Sequence, residues 1–483
     1  GNSAAAVLPP FDALVIDEAH QAEEVASAYL GMEVTNLGLA RLIEFLHSKR
    51  TGHTPLSGSN LPQREEFEKK LAAAAEEARV ATGQFFENLQ VVLDLDTARS
   101  HSVRIRRPHL VENSLDEPLK RLESLLRDAR KTAEKSSDET LVRELDGYAA
   151  RCEETRETIN ALINHSSQEY VYWVSVQPRA SVGGALARTA RVPRLGLCGA
   201  PIDVSGPMQE TLFGAICPVV LTSATLTTAH SFEFLRERLG LTPEKCPTEV
   251  RFLTLGSPFD FQQNALLYIA RDLPDPSLGA TFETEASARA VQVVKATEGR
   301  AFVLCTSFRM VDVTARVLRE ALPRHITVLK QGEMARGQLL SEFRQDITSV
   351  LVGTTSFWQG VDVPGEALSC VVLMKLPFAV PDDPVLQARV EALRQAGRDP
   401  FNEYQVPLAV MMFRQGFGRL IRAKTDRGII AVLDPRIVTK RYGATFLRSL
   451  PACAITDDLQ VVAEFSASAG NMPAAVTIEY TPQ

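Results

Sequence analysis

A run of apolar residues leads directly into acidic ones near the start of the sequence, in the segment Ala13-Leu14-Val15-Ile16-Asp17-Glu18-Ala19-His20. The apolar run predicts a buried parallel strand, and the two carboxylates would then follow its carboxyl end, where open α/β sheets bind ligands. One carboxylate there can hold Mg²⁺ through water, and the next can orient or deprotonate an attacking water, as nucleotide hydrolysis requires. A solvated acidic turn is the plainer alternative. We favour the nucleotide site because chance places this tetrapeptide in roughly one of several hundred chains of this length.

Length and composition indicate a globular protein of several domains. The 483 residues exceed what one hydrophobic core accommodates, and 45% hydrophobic with 23% charged residues is ordinary for such chains. No run of about 18 apolar residues predicts a membrane span, and the first residues lack the basic and apolar regions of a signal peptide. We therefore expect a cytoplasmic protein without membrane contact. The net charge of −7 argues against a generally basic surface but is compatible with a local positive groove for nucleic acid.

The cysteines are scattered and form no C-x-x-C pair. This spacing is typical of buried thiols in a reducing compartment, and it predicts no metal or iron–sulfur site built from this chain alone. The seven positions are Cys152, Cys198, Cys217, Cys246, Cys305, Cys370 and Cys453.

Hydrophobic residues recur at helical spacing between residues 36 and 165, as at Leu119, Leu122 and Leu126. The pattern predicts an all-helical insertion of three or four long helices, and we interpret its apolar stripes as bundle core. Residues 102–109 differ because they are basic and alternate in polarity. They predict either an exposed ribbon that touches phosphates or a plain edge strand in solvent.

Strand and helix patterns alternate after the insertion. From residue 256 onward the alternation predicts a doubly wound parallel-sheet α/β domain. The strand patterns before it, with the acidic strand near the start, predict a first α/β domain. The predicted division is 1–35 for the first part of that domain, 36–165 for the insertion, 166–255 for the rest of the first domain, 256–452 for the second domain and 453–483 for a C-terminal extension.

Hydroxyl residues follow the apolar run that ends at Leu221, in the order Thr222-Ser223-Ala224-Thr225. Their side chains can reach both a neighbouring carboxylate and the backbone, which suits a link between two sites. A Ser/Thr turn that caps a helix is the plainer alternative.

Two stretches of the second domain carry residues suited to phosphate and base binding. Residues 353–365 follow a predicted strand, and their glycine and threonine amides can hold a phosphate while Asp362 accepts from a ribose hydroxyl or orients an arginine. Phe357 and Trp358 can stack on a base, although the core is the better-supported place for them. Arg419 and Arg422 lie on one helical face, where paired guanidiniums can clamp a γ-phosphate. Two solvated arginines on a surface helix are the alternative.

These stretches together resemble a known family. The segments that begin at Asp17, Thr222, Gly353 and Gln415 look like motifs II, III, V and VI of superfamily 2 helicases. Residues 356–365 resemble the DinG branch of the XPD/DinG-type helicases, and Thr306-Ser307-Phe308 resembles motif IV. The resemblance extends from about residue 11 to about residue 451. It implies two RecA-like domains, the first incomplete here, with an insertion that resembles the family's arch domain.

The resemblance also implies an ATP-dependent DNA helicase that moves 5′ to 3′ along single-stranded or forked DNA, uses Mg²⁺ and acts in DNA repair. The oligomeric state stays open, with a monomer as our expectation. Asp17 would coordinate Mg²⁺ through water, and Glu18 would position the hydrolytic water. At the nucleotide, the resemblance places Gln415, Arg419 and Arg422 beside the γ-phosphate and His20, Gly360 and Asp362 nearby. The residues that would couple the ATP site to the DNA site are His20, Thr222, Ser223, Ala224 and Thr225. The residues that would lie along the DNA are Thr306, Ser307, Thr355, Ser356 and Trp358.

One motif of the family is not in this sequence. A P-loop, G-x-x-x-x-G-K-[ST], would precede the acidic strand, and no Gly-Lys-Ser/Thr occurs anywhere in the chain. We expect a truncated member that begins inside the first motor domain and by itself hydrolyses ATP poorly or not at all. An iron–sulfur cluster or a nuclease domain in the full-length protein stays compatible with this, but the chain has no cluster ligands. The alternative is a non-catalytic nucleic-acid-binding or regulatory protein on a helicase scaffold.

Overall fold

The computed structural model describes residues 11–136, 138–178, 192–216, 218–246, 248–354, 357, 368–380, 382–418, 420–421, 423 and 426–468. The chain divides into two units. The first unit comprises residues 1–23, 205–380 and 390–483, and the second comprises residues 24–204 and 381–389.

The strands, in chain order, are β1 (Leu14–Ile16), β2 (Met32–Thr35), β3 (His101–Ile105), β4 (Tyr170–Gln177), β5 (Arg194–Pro201), β6 (Val219–Leu221), β7 (Ala265–Ile269), β8 (Ala301–Cys305), β9 (Val328–Lys330), β10 (Val350–Thr354), β11 (Cys370–Leu373), β12 (Gly428–Val432) and β13 (Ala454–Thr456).

The helices are α1 (Ala22–Tyr29), α2 (Asn36–Leu46), α3 (Arg64–Val92), α4 (Asp116–Lys135), α5 (Glu139–Asn164), α6 (Ser205–Met208), α7 (Glu233–Leu239), α8 (Phe261–Asn264), α9 (Ala280–Ala296), α10 (Phe308–Ala321), α11 (Arg336–Gln345), α12 (Pro384–Gln395), α13 (Val406–Gly418), α14 (Arg436–Thr439), α15 (Gly443–Arg448) and α16 (Leu459–Ala467). Short 3₁₀ turns occupy Ala19–Gln21 and Pro276–Leu278, and π-helical turns occupy Gln209–Phe213 and Phe401–Gln405. Among the described helices, none is long and apolar enough to cross a membrane.

Seven strands of the first unit form one sheet in the order β13-β7-β12-β11-β8-β10-β9, and every neighbouring pair is parallel. Successive side chains of a strand point to opposite faces, so Leu266 and Leu267 belong to two different hydrophobic cores. Helices α11, α13 and α15 contribute to one core, and α9, α10 and α16 contribute to the other. This arrangement confirms the predicted doubly wound parallel-sheet domain.

The predicted C-terminal extension is not separate from this sheet. Strand β13 pairs with β7, and Val462 and Phe465 of α16 are buried in the same core as α9 and α10. The difference arises because the three residues of β13 carry too little apolar pattern to predict a strand.

A second, two-stranded parallel sheet in the first unit pairs β1 with β6. It is the part of the predicted first α/β domain that the described residues form. Strand β1 is parallel to β6, in agreement with the predicted parallel strand, but it is not fully buried. Val15 is 66% exposed, and its register partner Val220 is 50% exposed. Both side chains point to the same face, which the described residues leave open.

The second unit combines the helical insertion with an antiparallel sheet in the order β2-β5-β4-β3. Tyr172, Val174 and Val176 of β4 point to one face and join the hydrophobic core of α2 to α5. The predicted insertion therefore carries a strand, β3, and residues 170–201 belong to this unit rather than to the first motor domain. Local periodicity does not indicate which strands pair across long sequence separations, and for this reason the antiparallel sheet was not predicted.

The basic segment at residues 102–109 contains the edge strand β3, which pairs with β4 alone among the described strands. Ile105 is buried, whereas residues 106–109 are exposed. The edge-strand alternative is therefore the one the fold supports, and contact with phosphates stays a prediction.

The thiols of Cys305 and Cys370 lie in the core of the seven-stranded sheet, where burial raises the pKa of each to about 12. The thiolate population at pH 8 is then roughly a thousandfold below that of an ordinary cysteine. We expect iodoacetamide to leave both thiols unlabelled in the native chain and to label them in urea, as mass spectrometry of tryptic peptides would report. Equal labelling in both conditions would contradict this packing.

Candidate active site

Parallel pairing of β1 with β6 brings the acidic segment and the hydroxyl segment to the same edge. The Thr222 amide donates to the Ile16 carbonyl at 2.9 Å, and the Ala19 amide donates to the Thr222 carbonyl at 3.0 Å. The ladder thus continues past both strands. It sets the first residues after β1 beside the first residues after β6.

A hydrogen-bonded cluster of side chains centres on Ser223. Its hydroxyl donates to Glu18 Oε2 at 3.2 Å and accepts from the Thr225 amide at 3.2 Å. His20 Nδ1 lies 2.8 Å from the same hydroxyl oxygen. His20 Nδ1 also lies 3.3 Å from Glu18 Oε2, so the imidazole contacts both the serine and the carboxylate. The Ser223 hydroxyl therefore contacts a carboxylate, and its bond from the Thr225 amide forms the Ser/Thr turn that the sequence also allowed.

The two carboxylates are exposed, and the backbone turns sharply between them. Glu18 has φ of 50° and ψ of 38°, in the left-handed region, and its amide donates to Asp17 Oδ1 at 2.9 Å. A non-glycine residue in this region costs roughly 1–2 kcal/mol. Such strain at an acidic pair is typical of functional sites. Oxygen ligands on one or two carboxylates suit Mg²⁺, which keeps several waters and takes its remaining ligands from phosphates.

A residue that the sequence did not single out joins the hydroxyl segment to helix α13. Arg414 donates from Nη2 to the Ala224 carbonyl at 3.1 Å, and from Nη1 to the Thr227 carbonyl and to Thr227 Oγ1, the latter at 2.9 Å. Burial lowers the pKa of its guanidinium. The only signal in the sequence is a lone charge that follows an apolar helical run ending at Phe413.

Two further polar residues fix the carboxyl ends of strands in the seven-stranded sheet, and neither was predicted. Gln331 Oε1, after β9, accepts from the Thr354 amide at 2.7 Å and from the Thr354 hydroxyl at 3.0 Å. Asp434, after β12, is fully buried and accepts from the Leu376 amide at 2.9 Å. These contacts fix the first residues of the loops that follow the strands, at the edge of the sheet where α/β folds bind ligands.

Of the other predicted residues, some lie in the described part of the chain and the rest lie outside it. Ser307 is exposed and caps α10 by accepting from the Met310 amide at 3.2 Å, and Thr306 follows β8 directly. Gln415 is half-buried on α13, and Phe357 belongs to the core. The predicted residues outside the described part of the chain are Thr355, Ser356, Trp358, Gly360, Asp362, Arg419 and Arg422.

Similarity to known proteins agrees with these features. A family profile described as "Helicase C-terminal domain" matches residues 290–453. The ATP-dependent DNA helicase YoaA of Haemophilus influenzae is 32% identical over 467 residues, which are 95% of this chain and 65% of that protein. The ATP-dependent helicase DinG of Mycobacterium tuberculosis is 39% identical over 252 residues, which are 52% of this chain and 37% of that protein. The chain thus spans less than two thirds of the length of either relative.

The solved structure named "XPD_Helicase" has the same fold. It aligns with a TM-score of 0.51 over 92% of this chain and 68% of that chain, at 14% sequence identity. The same family is indicated by the likeness in fold, by the two similar sequences and by the order of the motifs. The chain belongs to the XPD/DinG-type superfamily 2 helicases.

Proposed function

We propose that this chain is the greater part of an ATP-dependent DNA helicase of the DinG type, a motor that moves 5′ to 3′ along single-stranded DNA. The observation that carries the proposal is the Ser223 cluster. It joins Glu18 and His20 of the acidic segment to Thr225 of the hydroxyl segment. A direct hydrogen bond between these segments is what coupling of hydrolysis to DNA binding needs.

In the proposed mechanism, Asp17 would hold Mg²⁺ through water, and the ion would supply charge neutralisation for the phosphates. Glu18 orients the attacking water and accepts its proton. The Ser223 hydroxyl, by donating to Glu18, directs the free oxygen of that carboxylate toward the water. Gln415, with Arg419 and Arg422, contacts the γ-phosphate from the second motor domain.

The nucleotide site also requires a phosphate-cradling loop with its lysine. Since the sequence contains no Gly-Lys-Ser/Thr, that loop would come from residues outside it, and we propose that the chain by itself hydrolyses ATP poorly or not at all. We propose likewise that an iron–sulfur cluster, should the full-length protein hold one, takes its ligands from residues outside this sequence. We propose that residues 256–452 act as the second motor domain and that the protein works as a monomer in the cytoplasm.

DNA binding is proposed along the loops that follow the strands of the second motor domain. Thr306 and Ser307 supply hydroxyls there, and Arg309 beside them has a side chain that is 73% exposed. An arginine that pairs with a phosphate releases a counterion, so the affinity for an oligothymidylate should fall linearly with salt on a double-logarithmic scale. Fluorescence anisotropy between 50 and 300 mM salt, on the order of the range where counterion release is seen, would measure the slope. A flat dependence would contradict a phosphate-tracking site.

The direction of movement is tested by strand displacement at the protein's natural length. The substrates are two duplexes of equal length, one with a 5′ single-stranded tail and one with a 3′ tail. We expect ATP-dependent displacement from the 5′-tailed duplex only. Displacement from the 3′-tailed duplex alone would reverse the proposed direction, and none from either would contradict the motor.

A further inference from the structure

Arg414 is the one described side chain of α13 that is seen to bond the residues after β6. Its three hydrogen bonds end on Ala224 and Thr227. We call residues 224–227 the coupling segment. Two of the three acceptors are backbone carbonyls, so the contact fixes the path of the chain rather than one side-chain rotamer.

The coupling segment is directly bonded to the residues that hold the acidic pair. Ala224 follows Ser223, whose hydroxyl contacts both Glu18 and His20. Beyond the segment, the Ala229 amide donates to Ser449 Oγ at 2.8 Å. The 406–449 part of the chain therefore holds residues 224–229 at both ends, and the bond to Ala224 lies next to Ser223.

The chemistry of the contact requires arginine. Both Nη atoms of a planar guanidinium donate in fixed directions, and here they reach carbonyls that lie three residues apart in the sequence. A lysine ammonium is a single point and cannot bond both carbonyls in the same geometry. The charge is also half-buried, and among the described residues its hydrogen bonds end on carbonyl and hydroxyl oxygens rather than on a carboxylate, an unusual place for a residue that serves only solubility.

We propose that Arg414 is a positioning residue that transmits movement of α13 to the Ser223 cluster through the coupling segment. Gln415, the next residue on α13, is proposed to lie at the γ-phosphate, so α13 would shift when nucleotide binds. Arg414 would carry that shift to Ala224 and Thr227, and Ser223 would then align Glu18 for hydrolysis. This inference rests on the proposed function for its catalytic consequence, but not for the mechanical link itself.

The mechanical link is tested by hydrogen–deuterium exchange on the purified chain. Arg414→Met removes the donors at nearly constant length, and we expect amide exchange in peptides that cover residues 222–229 to rise roughly tenfold. Exchange in the peptide that contains Glu18 should rise as well, because Ser223 loses its fixed position. Arg398→Met is the matched control, since Arg398 bonds Glu237 at 2.8 Å and does not contact the coupling segment in any described bond.

Arg414→Lys separates positioning from folding. It keeps the charge and should leave the melting temperature near that of the wild type, while exchange in residues 222–229 stays raised because one ammonium cannot hold both carbonyls. If neither Arg414 variant changes exchange at residues 222–229 beyond the Arg398→Met control, the proposed link is overturned.

The catalytic consequence is measured at the protein's natural length as DNA-stimulated ATP hydrolysis. We expect Arg414→Lys to lower kcat at least tenfold, with KM for ATP within about twofold, since Arg414 aligns the site and does not bind the nucleotide. Raised exchange with unchanged kcat would overturn the transmission to Glu18. A wild type without hydrolysis would instead overturn the proposed function, and the exchange result would still decide the link.

Discussion

Replacing Glu18 with glutamine is expected to lower ATP turnover by roughly 10²- to 10⁴-fold at the protein's natural length. The amide keeps the size of the side chain and can still accept from the Ser223 hydroxyl, so the cluster stays intact. It cannot accept the proton of the attacking water, and that is the step that the carboxylate is proposed to perform. Phosphate release at saturating single-stranded DNA measures the loss.

Glu24→Gln is the control for this variant. Glu24 is exposed on α1, and its substitution removes one negative charge, as Glu18→Gln does. We expect its turnover to match that of the wild type. DNA affinity should be unchanged in both variants, since neither residue is proposed to touch DNA. Turnover of Glu18→Gln within about threefold of the wild type would place the general base elsewhere.

Replacing Asp434 with leucine is expected to lower the free energy of unfolding by about 3–5 kcal/mol. The carboxylate is fully buried and bonds the Leu376 amide, the Arg436 amide and the Arg436 guanidinium. Leucine leaves the Arg436 charge without its partner and the Leu376 amide without an acceptor. Removing one partner of a buried ion pair costs more than the pair itself contributes.

Asp457→Leu is the matched comparison. Asp457 is exposed and pairs with Arg271 at 3.8 Å, so its loss should change the free energy of unfolding by about 0.5 kcal/mol or less. Urea titrations followed by circular dichroism would give both values, provided that the denaturant slope stays constant. A loss below about 1 kcal/mol for Asp434→Leu would show that the strand ends do not depend on this network.

The parts of the fold that the sequence predicts are those with strong local patterns. Strands β8, β10 and β12 are continuous apolar runs, which is the pattern that buried parallel strands need. The antiparallel sheet of the second unit was not predicted, since β2 and β5 are separated by more than 150 residues in the sequence. Local periodicity specifies that a strand exists but not which strand it pairs with.

In the candidate site, too, some residues could be predicted from the sequence and others could not. Glu18 and Ser223 could be predicted to lie close together because each follows an apolar strand, and parallel strands end at one edge. Arg414 and Gln331 could not, since each bonds backbone groups, which leave no spacing or residue type to recognise. A residue whose task is to hold another segment is visible only once the chain is folded.

The central claim is that the two segments joined at Ser223 belong to a DNA-driven nucleotide hydrolase. The most direct test is ATP hydrolysis by the wild-type protein at its natural length, with and without an oligothymidylate. We expect a rate that rises with the concentration of single-stranded DNA and then saturates. A rate that is the same with and without DNA, or no hydrolysis in either case, would contradict the account.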